Sequence, residues 1–236
     1  MNGSAGRTDQ VSGCDPTLRA DAQRNRARII EAAREVFAED GLDASLNEVA
    51  RRAGVGVATL FRRFPTREEL IAATFADPMT EHAALIETAL ADPDSWHGFC
   101  GYVRAVCSMQ AGDRGFTDVL TQSFPAAKEF EAQRDHAFRR FTELITRAKG
   151  EGALRDDFVA EDLPMLLMAN AGVVAATAGA APETSPRLVE YLIQAFSASQ
   201  VGTLPDPPTP RRMYRALSRL HVKSRRPMTR VISSQR

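Results

Sequence analysis

LNEVARRAGVGVATLFRRFP, residues 46–65, contains two short segments with apolar residues at helical spacing, separated by glycines. Ala50 is small enough for two helices to cross closely. Gly54 tolerates the positive φ that a tight turn requires. Leu60 is a large apolar residue that can anchor the second helix in a core. These three spacings predict a helix-turn-helix.

The second predicted helix has two faces. Its large apolar side chains are expected to face the core: Val57, Leu60, Phe61 and Phe64. The outward face then consists of Ala58, Thr59, Arg62 and Arg63. Small side chains allow close approach to a major groove, and arginine can reach a guanine edge or a phosphate. An ordinary amphipathic helix pair with solvated arginines would have the same apolar spacing, so spacing alone leaves both interpretations open.

The distribution of charge favours DNA binding, although the 236-residue chain has a formal net charge of zero. Residues 51–67 contain five arginines and no acid, whereas residues 76–210 contain 10 basic and 19 acidic residues. Residues 211–236 contain nine basic residues and no acid. Affinity for duplex DNA depends on cationic side chains near phosphates. The basic tail either adds phosphate affinity or is an extension without a role.

Helical periodicity extends over most of the chain, and no strand pattern is found. Residues 29–37 carry an apolar stripe that Gly41 ends, and Ser45–Glu48 and Thr66–Glu69 are capping boxes. Further helices are expected at 79–91, 95–111, 116–123, 126–149, 162–180 and 186–199. The sequence therefore predicts an all-α protein. Its expected regions are a disordered leader (1–20), a three-helix DNA-binding domain (21–76), a larger helical ligand-binding and dimerisation domain (77–200) and a Pro-rich, then basic, disordered tail (201–236).

Several other classes of protein are disfavoured. Three cysteines do not suggest a disulfide framework, and residues 1–28 do not resemble a signal peptide. Residues 163–181 are too rich in small residues to indicate a membrane span, so a cytoplasmic protein without membrane contact is expected. No catalytic, phosphate-binding or metal-ligand constellation has useful spacing, so neither an enzyme nor a cofactor is expected. A small helical enzyme, or an architectural DNA-binding protein without a ligand, stays open as an alternative.

Residues 24–75, including GLDASLNEVARRAGVGVATLFRRFPTREELIAATF, resemble the N-terminal domain of TetR-family repressors. The resemblance implies that the second helix and its cap touch phosphates while the third helix enters the major groove. By position it assigns a phosphate contact to Ser45, Arg63 and Arg67, and the cap of the third helix to Gly56. Val57, Ala58, Thr59 and Arg62 fall at groove-facing or groove-edge positions. Phe61 replaces a usual tyrosine, so specificity is expected to depend on Arg62, Thr59 and DNA shape.

The remaining chain resembles the SbtR-like C-terminal domain of that family, through Leu154-Arg155-Asp156-Asp157 and residues 163–174. This implies a small-molecule effector inside the helices, a homodimer through 162–180 and 186–199, and repression at a palindromic double-stranded operator. The Ala, Gly and Met content of 162–180 would let a partner helix approach closely, although a helix buried within one subunit would have the same content. The effector is expected to move the helix around 79–91.

Candidate effector contacts are the aromatic, sulfur-containing and polar residues on the apolar faces of these helices. They are Trp96, Phe99, Cys100, Val103, Phe116, Phe124, Met165, Met168 and Asn170. Such residues at helical spacing also occur as ordinary core. Cys100 and Cys107 share a face, which raises a redox-sensor hypothesis, and His97 beside them suggests a metal site. Buried structural cysteines explain the spacing equally well, and a fourth metal ligand with good spacing is lacking, so no metal is expected.

Overall fold

The computed structural model describes residues 16–122, 124–177, 179–199 and 202–223. Within these ranges the chain is helical, with one isolated bridge between Leu154 and Ser197 and no strand. The helices are α1 (Pro16–Asp40), α2 (Leu46–Arg52), α3 (Val57–Arg63), α4 (Arg67–Thr74), α5 (Ala76–Ala91), α6 (Ser95–Gly112), α7 (Arg114–Thr121), α8 (Lys128–Gly150), α9 (Asp162–Thr177), α10 (Thr184–Phe196) and α11 (Pro210–Lys223). The predicted all-α fold is confirmed.

The first core lies between α1 and the three short helices that follow it. Ile29, Ala33, Val36 and Phe37 of the α1 stripe are fully buried, and Leu60 of α3 packs into the same core. Side chains of α7 and of the segment before α8 complete it. α7 approaches α1 closely at Gly115, where a Cβ atom would lie 3.0 Å from the Phe37 carbonyl oxygen. The N-terminal helices and the larger domain therefore share one core.

The second core lies among α5, α6, α8, α9 and α10. Its centre is Phe99, whose ring lies 6.1 Å from that of Phe141 and 5.5 Å from that of Phe158. A buried polar network joins three of these helices, since Asn170 donates to Gln110 at 2.9 Å and accepts from Ser185 at 2.8 Å. No helix in the described ranges is both long and apolar enough to cross a membrane.

Three local expectations differ from the structure. α1 begins at Pro16, inside the predicted leader, and α11 occupies part of the predicted disordered tail. Both helices begin at proline, which is favoured at the first helical position, and good helix formers follow. The predictions for residues 1–15 and 224–236 lie outside the described residues. In the first capping box, Ser45 accepts from the amide of Asn47 at 3.3 Å as expected, but Glu48 binds two arginines instead of reaching back.

Candidate DNA interface and effector cavity

The turn between α2 and α3 is held by backbone bonds and by one arginine from α1. The amide of Val55 donates to the Ala50 carbonyl at 3.0 Å, and Gly54 has a φ of +63°. Arg28 donates to the carbonyl of Gly54 at 3.2 Å and to that of Ala53. Helices α2 and α3 therefore have a fixed relative orientation, as groove binding by α3 would require.

The exposed side of α3 differs from the one expected. The apolar spacing predicted that Val57 and Phe61 face the core, but they are 38% and 45% exposed. The family resemblance instead gives Val57 a groove-facing or groove-edge position, which requires an exposed side chain. Of the four apolar residues predicted to face inward, Leu60 and Phe64 are buried, and both pack in the N-terminal core. Ala58 is also exposed and Thr59 is half-buried. The outer surface of α3 is therefore a small, partly apolar tip, and such groups can contact thymine methyls in a major groove.

Two of the five arginines in the acid-free run are neutralised by carboxylates outside it. Arg52 lies 2.6 Å from Glu39 of α1 and 3.0 Å from Glu48, and Arg51 lies 2.6 Å from Glu48. Hydrogen bonds from Arg51 and then Arg52 lower the pKa of Glu48 to about 2. These two guanidinium groups therefore add little net charge to the surface.

The other three arginines have different surroundings. Arg67 donates to the carbonyls of Leu42 and Ala44, both at 2.7 Å, and so fixes the segment before α2. Arg63 donates to the Ala22 carbonyl at 2.9 Å. Arg62 is exposed, and none of the described residues forms a hydrogen bond or ion pair with it. Arg62 is thus placed to bind an external anion or base edge.

The caps leave polar groups at the same surface. Ser45 is exposed at the start of α2. At the start of α3, Gly56 provides no side-chain cap, and its carbonyl accepts from Thr59 at 2.9 Å and from Leu60 at 3.1 Å. With no side chain at Gly56, an approaching phosphate can come close to the first amides of α3.

A cavity of about 190 Å³ lies where α5, α6, α8 and α9 meet, and Leu120 of α7 and Leu217 of α11 also line it. Its wall contains His82, whose Nε2 lies 2.9 Å from the hydroxyl of Tyr102. The other ring nitrogen, Nδ1, is buried and has no hydrogen-bond partner among the described residues. Burial, assisted by the charge of Arg134, lowers the pKa of His82 to about 4, so the ring is neutral at pH 7.

Three charged residues of α8 also line the cavity: Glu131, Arg134 and Asp135. Arg134 donates to Glu131 at 2.9 Å, and its guanidinium lies 5.6 Å from the centre of the Phe124 ring. The cation is therefore already engaged, and the lining carries one more negative than positive charge.

The nine predicted effector contacts do not line this cavity. Trp96 and Phe99 stack with ring centres 5.6 Å apart, and Cys100 and Val103 are buried in the same second core. Phe116 and Phe124 belong to the first core. Met165 is 51% exposed, Met168 is half-buried, and Asn170 is satisfied by the polar network described above.

Sequence reasoning missed His82 and Tyr102, although one signal was available. His82 lies on the apolar face of α5 with Met79 and Ile86, and a titratable side chain there needs an explanation.

The spacing of Cys100 and Cys107, which had raised a redox-sensor hypothesis, has a structural explanation. Burial raises the pKa of the two thiols to about 11 and about 12, which disfavours the thiolate that redox chemistry or metal binding needs. His97 is bonded to Asp92 at 2.6 Å.

Two family models match separate parts of the chain. Residues 29–74 match the bacterial regulatory proteins of the tetR family, and residues 93–194 match the C-terminal domain of SbtR-like transcriptional regulators. An HTH-type transcriptional regulator of Staphylococcus aureus (strain USA300) is 41% identical over 54 residues, which are 22% of this chain and 29% of the relative. The match therefore spans less than a third of that relative's length.

Solved structures resemble the chain over a longer range. The TetR transcriptional regulator SCO0520 of Streptomyces coelicolor is 27% identical with a TM-score of 0.46, covering 74% of this chain and 99% of that one. FadR of Bacillus subtilis, solved in complex with stearoyl-CoA, is 18% identical with a TM-score of 0.51, covering 72% and 98%. With an N-terminal helix-turn-helix, a larger helical domain and two matching family models, the chain belongs to the TetR family of transcriptional regulators, which are DNA-binding proteins and not enzymes.

Proposed function

We propose that the protein is a homodimeric repressor that binds a palindromic operator through α2 and α3 and leaves it when a small molecule enters the cavity. The observation that carries the proposal is the surface of α3. Its exposed tip of small and apolar side chains lies next to Arg62, a cation with no partner among the described residues. That combination suits a major groove, where arginine reads guanine or binds phosphate.

Dimerisation is supported by apolar faces that the described chain leaves uncovered. On α9, the exposed residues Met165, Ala169, Gly172 and Ala176 follow one another at helical spacing. On α10, Tyr191 is 56% exposed and Ala195 is also exposed. Small residues let helices of two subunits pack closely, and a two-fold axis would present two α3 helices to the two half-sites of a palindrome.

Transmission of an effector signal is supported by two helices that line the cavity. α5 begins directly after α4, with Phe75 capping both, and contributes Met79 and His82 to the lining. α7 contributes Leu120, and two residues earlier Asp118 accepts a hydrogen bond from the Leu42 amide at 3.0 Å. An effector that displaces α5 would change the separation of the two α3 helices, and α7 provides a second link to the segment before α2.

Selection of bound duplexes from a random DNA pool tests the DNA-binding part. Wild type is compared with Arg62→Ala, and with Arg139→Ala, which removes another exposed arginine, from α8. We expect wild type and Arg139→Ala to recover the same palindromic sequence and Arg62→Ala to recover it weakly or not at all. If folded wild-type protein enriches no sequence, operator binding is contradicted; enrichment of a site without two-fold symmetry contradicts the dimeric arrangement.

A further inference from the structure

The cavity wall includes His82, a buried side chain with one ring nitrogen that the described part of the chain leaves unsatisfied. His82 is 7% exposed, its Nε2 is paired with Tyr102, and Nδ1 has no partner among the described residues. Buried polar atoms in folded proteins nearly always have a hydrogen-bond partner, so Nδ1 of His82 is a candidate to bond a polar atom of a ligand.

The size and lining of the cavity limit the rest of the ligand. A cavity of about 150 Å³ with apolar walls is known to hold a benzene molecule. This cavity is about 190 Å³, so it has room for one ring with a few further atoms. The rings of Tyr102, Phe138 and Phe141 line it together with aliphatic side chains such as Leu163 and Leu167. An aromatic ring would therefore meet apolar and aromatic surface.

The charges disfavour an acid as the ligand. Arg134, the cation in the lining, already donates to Glu131 at 2.9 Å and to the Leu120 carbonyl at 3.4 Å. Asp135 adds a further carboxylate. A ligand carboxylate would lie beside these two acids without gaining a free cation, so charge repulsion would weaken its binding. An uncharged polar group meets no such penalty.

We propose that the cavity binds a small uncharged aromatic alcohol of the phenol class, whose hydroxyl group hydrogen-bonds to Nδ1 of His82. A hydroxyl group can donate or accept, so it completes this bond whichever ring nitrogen carries the proton. A carbonyl group only accepts, and so fits only one of the two tautomers. The inference rests on the proposed function only in identifying this cavity as the effector site.

Titration calorimetry without DNA tests the proposal with three probes of one shape: p-cresol, p-xylene and p-toluate. We expect p-cresol to bind wild type at least about tenfold more tightly than either of the others, since p-xylene cannot form a hydrogen bond to Nδ1 and p-toluate brings a negative charge next to Glu131 and Asp135. His82→Phe removes Nδ1, and Tyr102→Phe is the matched control because both changes break the same His82–Tyr102 bond. The preference for p-cresol should disappear in His82→Phe and persist in Tyr102→Phe.

Four outcomes would overturn the proposal: no binding of p-cresol, equal or tighter binding of p-xylene or p-toluate, a preference for p-cresol that persists in His82→Phe, or the same loss of preference in both variants. If His82→Phe does not fold, imidazole nitrogen NMR of wild type replaces it. The Nδ1 resonance of the neutral, buried histidine should then shift with p-cresol and stay unchanged with p-xylene; a shift with neither contradicts the bond. Operator release is measured separately, so a failure of the repressor mechanism leaves these binding results unaffected.

Discussion

The arginines near α3 carry the same charge but differ in exposure and in hydrogen-bond partners. These differences indicate which of them can contact DNA. Arg62 is exposed without a partner among the described residues, whereas Arg67 donates to two carbonyls before α2 at 2.7 Å. The family resemblance assigns a phosphate contact to Arg67. Its position in the structure instead suggests that it supports the start of α2.

Replacing each of these two arginines by alanine should separate the roles. Arg62→Ala should lower the slope of log affinity against log salt by about one per half-site while changing unfolding free energy by less than about 0.5 kcal/mol. Arg67→Ala should lower the unfolding free energy by about 1–3 kcal/mol, because two carbonyls lose a charged donor, with little change in slope. Salt titrations of operator binding and urea denaturation measure both quantities. A reduced slope without lost stability in Arg67→Ala would restore the phosphate assignment.

His82 should make the free energy of unfolding depend on pH. Its pKa is lowered to about 4 in the folded protein, mainly by burial and further by Arg134, from 6.5 in an unfolded chain. As the pH falls, the unfolded state therefore binds the proton first. The contribution of neutral His82 to the free energy of unfolding is fully present above pH 6.5, and about 3 kcal/mol of it is lost as the pH decreases toward 4. Denaturation curves between pH 7 and 4.5 should show this loss in wild type and a smaller one in His82→Phe. Parallel curves would contradict it.

The limits of sequence reasoning at this scale have a physical cause. Counting charges along residues 51–67 finds five arginines and no acid, but Glu39 and Glu48 come from outside that window and neutralise two of them. One turn of helix separates Glu48 from Arg51, so that pair could have been predicted. The pair between Glu39 and Arg52 joins two helices, and only their packing brings it together.

Among the elements, the turn between α2 and α3 depends most on single residues. Gly54 has a φ of +63°, and a Cβ atom built on it would lie 2.5 Å from Nη2 of Arg28. The sequence identifies Gly54 as the turn residue because a positive φ favours glycine. It could not identify Arg28, which lies 26 residues earlier and contacts the turn only after α1 packs against α2.

The same limitation explains the unexpected exposure of Val57 and Phe61. Periodicity fixes which residues share a helix face, but it does not fix which part of that face is covered by other helices.

Alanine at Gly54 should therefore destabilise the protein. The left-handed conformation costs a residue with a Cβ atom about 1–2 kcal/mol, and displacement of Arg28 adds the loss of its bonds to two carbonyls. Gly56→Ala is the matched control, because Gly56 has a φ of −70° and nothing lies within 4 Å of its added Cβ atom. Urea denaturation should show a loss of at least about 1 kcal/mol for Gly54→Ala and little change for Gly56→Ala. Equal effects would mean that the turn is not conformationally restricted.

For the molecule as a whole, the two described cores account for the buried apolar residues other than Met213 of α11, but they leave the outer faces of α9 and α10 exposed. The order of helices α1 to α10 could be predicted from spacing and caps, because these signals are local, whereas α11 lies in a segment predicted to be a disordered tail. The position of the cavity could not, because its lining comes from six helices between residues 79 and 217. Whether α9 and α10 meet a second subunit depends in the same way on a surface that no single segment defines.

The dimer proposal predicts a specific effect of charge on α9. Gly172 lies in the exposed small-residue stripe, and a Cβ atom added to it meets nothing within 4 Å of the same chain. Gly172→Arg should therefore leave the monomer fold intact but bury a bulky charge in the proposed interface, which an interface core tolerates poorly. Gly150→Arg, at a similarly open helical glycine of α8, is the control. Light scattering should report a dimer for wild type and Gly150→Arg and a monomer for Gly172→Arg.

Because one half-site supplies only part of the contacts, the monomer should also bind a full palindrome no more tightly than a half-site. A Gly172→Arg protein that stays dimeric and keeps its preference for the palindrome would place the interface elsewhere on the molecule.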